Sequence, residues 1–133
     1  MTDKRKLSGF TLIELLISIV ILGLLMSLVA PAMFSKVDST KIKTARAQMQ
    51  MLETALDTYR LDMGDYPKSL KELHSSSAFG WDGPYLPKAV PADPWGNQYS
   101  YASPGPDGEM YLLKSLGKDG QVGGADDAED IAL

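Results

Sequence analysis

The sequence contains no cysteine. No disulfide can support the fold, and thiol chemistry and Cys-bound metals are excluded. Histidine occurs once, at His74, in a polar stretch that suggests no Ser or Cys partner, so a surface position is expected. Phosphate loops, dinucleotide fingerprints and zinc-ligand spacings are absent. Excess positive charge is absent too: the net charge is -4, which argues against a nucleic-acid partner. Aromatic and basic residues do not interleave into a base-stacking platform. No pair of acids stands out as catalytic machinery, so no enzymatic activity is expected. What remains is a chain of 133 residues, enough for one domain of ordinary size, and one long apolar run.

The charge is unevenly placed. Before Ala47 it is mostly positive, from Lys4, Arg5, Lys6, Lys36, Lys41, Lys43 and Arg46, whereas the last 27 residues are rich in Asp, Glu and Gly. Residues 10–30 are apolar except for Thr11, Glu14, Ser18, Gly23 and Ser27. At about 1.5 Å per residue they span about 30 Å, the hydrocarbon thickness of a bilayer. A secretory signal peptide would have a shorter apolar region and a small-x-small site close behind it. Ser27-Leu28-Val29 and Ala30-Pro31-Ala32 are poor sites of that kind. A plain signal anchor, held by Lys4-Arg5-Lys6 on the cytoplasmic side, gives Glu14 no role. An ionised carboxylate there costs roughly 2.5–3.5 kcal/mol on insertion scales, and such groups are usually paired and functional. Were the chain cut between Gly9 and Phe10, the new α-amine would lie four residues before Glu14 and could neutralise it. Within one helix that pairing is local; between subunits it sets an axial register.

The stretch Ser8-Gly9-Phe10-Thr11-Leu12-Ile13-Glu14-Leu15 resembles the class III leader of type IV pilins and pseudopilins: a short basic leader, Gly before the cut, Phe after it, Glu four residues on. The resemblance implies that a membrane prepilin peptidase removes residues 1–9 and methylates the new N-terminal Phe10. Glu14 and Phe10 would then act in assembly.

Past Pro31, where a kink is expected from its missing donor and ring clash, the residues Ala45, Met49, Leu52, Leu56, Tyr59 and Met63 step by three and four. That is one apolar helix face. Thr40, Lys43, Arg46, Gln50, Glu53, Asp57 and Arg60 fill much of the polar remainder, and Gly64 with Pro67 marks the stop. One helix is expected from Phe10 to about Met63, its first half in the membrane and its second packed on a small domain. Residues 66–73 suggest an extended entry to a short helix. Residues 98–101 and 110–115 suggest short strands, joined by turn chemistry at Gly105-Pro106-Asp107-Gly108. The expected class is α+β, with two to four antiparallel strands against the long helix.

Asp93-Pro94-Trp95-Gly96-Asn97-Gln98-Tyr99 alone is a turn leading into a strand. Together with Pro67 after an aromatic, Leu86-Pro87 and Gly117-Lys118-Asp119-Gly120, it is similar to the major pseudopilins of type II secretion systems. Ordinary major pilins usually close this region with a Cys pair, which this chain lacks.

Residues 116–130 carry glycines and five acids between Asp119 and Asp130. They suit either a solvated acidic tail or a calcium loop, since calcium takes six to eight oxygens in flexible geometry and glycines let carbonyls turn inward. An EF-hand is excluded: Gln121 and Gly123 stand where acid or Asn is needed, the loop ends in Asp, and no helix follows. The resemblance implies one calcium held by Asp119 and Asp130, by Asp126 or Asp127, and by the Leu116 carbonyl.

The resemblance therefore implies a type IV pilin-like fold in three parts: leader 1–9, hydrophobic helix 10–34, and periplasmic domain 35–133. It implies a single-pass inner-membrane protein that homopolymerises into a periplasmic pseudopilus driving secretion. Its partners would be the prepilin peptidase, minor pseudopilins and the inner-membrane secretion platform. Two other readings stay open on the residues: a pilin of an adhesion, motility or DNA-uptake fibre, and a signal-anchored calcium-binding module that never polymerises.

Overall fold

In a computed structural model of the chain, residues 8–124 and 129–133 are described. The chain divides into two compact units, Met1–Val37 and Asp38–Leu133. One helix, α1 (Leu12–Met63, 52 residues), runs through both and continues across Pro31.

In the first unit the described large apolar side chains, from Phe10 to Val37, are exposed. An 18-residue window of α1 has a mean hydropathy of 2.7 with none of it buried. By length and composition this segment can cross a membrane. Its polar side chains look after themselves. Ser18 donates its hydroxyl to the Glu14 carbonyl at 2.8 Å, and Ser27 donates to the Leu24 carbonyl at 2.7 Å. Hydrocarbon demands such internal satisfaction, because it offers no water.

In the second unit the predicted stripe is the core. Ala45, Met49, Leu52, Leu56 and Tyr59 are buried, Ala55 joins them, and Met63 is half-buried. Each large side chain withdrawn from water contributes about 1.5–3 kcal/mol. α1 stops where expected: Gly64 adopts φ +89° and donates its N–H to the Arg60 carbonyl at 2.8 Å. That left-handed conformation is cheap for glycine alone.

A short 3-10 helix, Leu70–Leu73, follows; its Ser69 and Glu72 cap one another reciprocally. Leu70 and Leu73 drop into the core beside Leu86. Three antiparallel strands then form one sheet in the order β1 (Ser100–Ala102), β2 (Leu112–Ser115), β3 (Ile131–Ala132). Tyr101 lies opposite Leu113, and Ser115 opposite Ile131. Pro106–Gly108 connects β1 to β2 as a tight turn. The Tyr99 hydroxyl donates to the Gln48 side-chain carbonyl, and Tyr111 donates to Glu53 Oε1 at 3.4 Å, tying the sheet region to α1. The α+β class and the strand pair flanking residues 103–109 match the sequence. β3 was not foreseen, because its two residues lie directly behind an acidic run.

Candidate functional site

Two regions carry the residues singled out by sequence. At the N-terminus, Gly9 and Phe10 precede α1, and Phe10 is 85% exposed. Thr11 and Glu14 form a reciprocal cap. The Glu14 carboxylate accepts from the Thr11 N–H at 3.1 Å, and the Thr11 hydroxyl accepts from the Glu14 N–H at 3.2 Å. This is a capping box, legible as Thr-x-x-Glu before an apolar run. It gives Glu14 a partner within its own chain that the sequence reading missed. The carboxylate stays exposed, on the first turn of an apolar helix. Residues 1–7 of the leader lie outside the described residues.

At the C-terminal end, β2 delivers the chain to a turn over residues 117–120. Gly117 and Gly120 adopt φ +71° and +65°. The φ of Gly120 disfavours any other residue, and a Cβ there would lie 3.0 Å from the Asn97 side chain, which would have to shift slightly. Asp119 is exposed, and its Oδ1 accepts from the Gln121 N–H at 3.0 Å. Asp130 sits just before β3. Its Oδ2 accepts from Lys114 Nζ at 2.9 Å and from the Gly123 N–H at 3.0 Å. The Gly123 N–H first, and then Lys114, hold the Asp130 carboxyl below the usual carboxylate range. Its Oδ1 is shut away from solvent, with no hydrogen-bond partner among the described residues. Leu116 is half-buried between β2 and the turn.

That orphaned oxygen fits a hard cation, which would satisfy the second half of the carboxylate. Among the described residues no three acids converge. Asp126 and Asp127, the two further candidate ligands, lie outside the described residues. Sequence reasoning missed Lys114, sixteen residues from Asp130; no local pattern announces such a pairing.

It also passed over Asp93, the residue that supports the loop from beneath. Asp93 is 4% exposed, yet both its oxygens are used. Oδ1 accepts from the N–H groups of Trp95 (3.1 Å) and Asn97 (2.8 Å), and Oδ2 from the Ser115 hydroxyl (2.7 Å). Ser115 Oγ in turn accepts from the Gly117 N–H at 3.3 Å, and the Asn97 amide donates to the Gly117 carbonyl at 3.4 Å. The Asp-Pro-Trp-Gly-Asn turn is thus bolted to the start of the C-terminal loop. Asp followed by Pro, with backbone N–H groups two and four residues on, is the sequence signal that points to it. His74, expected on the surface, is half-buried, with Nδ1 3.5 Å from the Leu86 carbonyl.

Comparison with known proteins covers both stretches of the chain. Residues 32–133 match the family model described as "Type II secretion system (T2SS), protein G". Residues 4–30 match the prokaryotic N-terminal methylation motif. The type II secretion system core protein G of Pseudomonas aeruginosa is 39% identical to this chain, over 97% of it and 96% of the relative. That of Escherichia coli K12 is 39% identical, over 99% of this chain and 94% of the relative. The Vibrio cholerae protein is 37% identical, over 98% and 94%. Among solved structures, the major pseudopilin from the type 2 secretion system of enterohaemorrhagic E. coli superposes with a TM-score of 0.57 at 30% identity, covering 74% of this chain and 90% of that one. Long helix, three-stranded sheet, N-terminal motif and family match agree: this chain belongs to the protein G family of type II secretion systems.

Proposed function

We propose that this chain is the structural subunit of a periplasmic pseudopilus, made as a membrane-inserted precursor and polymerised through its N-terminal helix. One observation carries the reading: the apolar first part of α1, exposed over a membrane-length window, begins with a carboxylate four residues after Phe10. Such a surface does not stay in water. A bilayer covers it first, and the helices of other copies cover it in a filament. Cleavage between Gly9 and Phe10 creates an α-amine, methylated on Phe10. The Glu14 carboxylate of a neighbouring copy neutralises that amine and fixes the axial step. The prepilin peptidase, an inner-membrane secretion platform and minor pseudopilins are the partners this route requires. The domain from residue 35 onward lies in the periplasm.

Calcium acts in this reading as a staple of the C-terminal loop. Asp119 and Asp130 would supply carboxylate oxygens, Asp126 or Asp127 a third, and Leu116 its backbone carbonyl. The cation would supply charge neutralisation where four acids crowd within residues 126–130. The unpartnered Asp130 Oδ1 supports this assignment.

The test is Glu14→Ala expressed in a secreting host. Membrane insertion and leader cleavage should be normal and filaments absent. Normal filaments from that variant would sink the reading.

A further inference from the structure

We propose that Lys114 sets how strongly the C-terminal loop depends on calcium: it holds Asp130 when the metal is away and weakens the metal's hold when it binds. The inference rests on the calcium reading above and concerns a residue to which that reading gives no role.

Two carboxylates serve the loop, and they are used differently. Asp93 spreads three neutral donors over both of its oxygens. That joint is closed. Asp130 receives both of its donors on Oδ2, Lys114 Nζ at 2.9 Å and the Gly123 N–H at 3.0 Å. Its Oδ1 is out of solvent and has no partner among the described residues. An ionised carboxylate offers about four acceptor positions over its two oxygens. One oxygen of Asp130 is therefore saturated while the other is left for a cation, and the group on the saturated side is itself a cation.

Strand register puts it there. Lys114 lies on β2, the central strand, opposite Ser100 of β1 and Ala132 of β3. Side chains alternate along a strand, so Lys114 stands on the face away from the buried Leu113 and Ser115. Asp130 precedes Ala132 by two residues and shares its face. Such a diagonal pair is within reach of a long side chain. Ser100 and Ala132 are small and leave room for the lysine stem. The two side chains are only 19% and 16% exposed, so salt screens the pair less than one on the open surface.

Two effects follow, and both lower calcium affinity. Without the metal, the ion pair and the Gly123 N–H tie β2, residue 123 and residue 130 together through one oxygen, and the metal-free loop is stabilised. With calcium on Oδ1, a single and a double positive charge share one carboxylate and repel each other. An ammonium is a point charge with three donors, whereas calcium gathers six to eight oxygens. Lys114 thus replaces one contact of the cation, not its whole shell. It keeps β3 on β2 in calcium-poor surroundings at the expense of a weaker metal site.

The experiment uses the purified full chain in nonionic detergent micelles. In calorimetric titration with calcium chloride, Lys114→Met should bind about fivefold tighter than wild type, the effect of removing one charge contact at the upper end of the surface range. Lys114→Arg, which keeps the charge, should stay near wild type. In thermal melts followed by the fluorescence of Trp81 and Trp95, the Lys114→Met midpoint should fall in chelator and lie closer to wild type in calcium. In an Asp130→Asn background the same change should no longer lower the chelator midpoint, because the two residues act as one pair. A lysine with a merely structural role would lower both midpoints alike and leave the affinity unchanged. A lysine that orients Asp130 for the metal would weaken binding once removed. Either result overturns the inference. A wild-type chain that takes up no calcium in the titration would overturn the calcium reading itself, and this inference with it.

Discussion

Ser115 donates its hydroxyl to Asp93 at 2.7 Å, and both residues are buried. The bond joins the last residue of β2 to the Asp-Pro-Trp-Gly turn. It fixes where the C-terminal loop starts. The carboxylate is affordable in the interior only because three donors saturate it.

Asp93→Ala would strand the Ser115 hydroxyl and the N–H groups of Trp95 and Asn97. Each buried donor left unmade costs about 1–3 kcal/mol. A loss of about 3–5 kcal/mol is expected in urea unfolding of the soluble piece 35–133. Asp93→Asn keeps one acceptor oxygen and should cost less. A loss under about 1 kcal/mol in the alanine variant would show that water replaces the carboxylate.

Calcium should raise the thermal midpoint of the same piece over its value in chelator. A ligand at about 100 times its dissociation constant adds about 2.7 kcal/mol. At roughly 4–8 °C per kcal/mol, the midpoint rises by about ten degrees or more. Asp119→Ala and Asp130→Ala should abolish the shift. An identical midpoint with calcium and with chelator would return the acidic loop to a solvated tail.

Leu52 is fully buried at the centre of the helical stripe. Leu52→Ala should destabilise the domain by about 2–5 kcal/mol through lost transfer energy and a cavity. A far smaller loss in a denaturant titration would mean that α1 repacks around residue 52.

Stability should also respond to pH at both extremes. Burial pushes the hydroxyls of Tyr99 and Tyr101 up to about 12, against about 10 in the unfolded chain. A raised value means that the folded state holds the proton more tightly. Their contribution is therefore complete below about pH 10 and lost as pH rises towards about 12. Asp130 is shifted the other way, chiefly by the Gly123 N–H and then by Lys114. Its contribution is complete above about pH 4 and lost below it. Thermal midpoints across both ranges, with tyrosinate absorbance at the alkaline end, would check the signs.

The helical half of the fold was written in local pattern. The stripe from Ala45 to Met63, the stop at Gly64 and the turn at residues 105–108 all follow from spacing or from one residue's backbone freedom. β3 follows from nothing local, because two residues cannot display a period. Its place comes from β2, which offers Lys114 and Ser115 as partners. The site divides in the same way. Gly9, Phe10 and Glu14 fall within one local stretch, residues 4–30, that matches the N-terminal methylation motif. Asp93 with Ser115 and Lys114 with Asp130 are pairings across 22 and 16 residues, visible only once the chain is folded. The Thr11–Glu14 cap was legible but hidden behind the more conspicuous question of a carboxylate in an apolar run.

The sheet ends on strands of three and two residues, β1 and β3. Open strand edges are templates for any passing chain, and very short ones recruit poorly. A subunit built to polymerise faces a hazard opposite to that of most proteins: it must join others along one route only. Stunted edges close the amyloid-like route. Growth is left to other surfaces of the subunit.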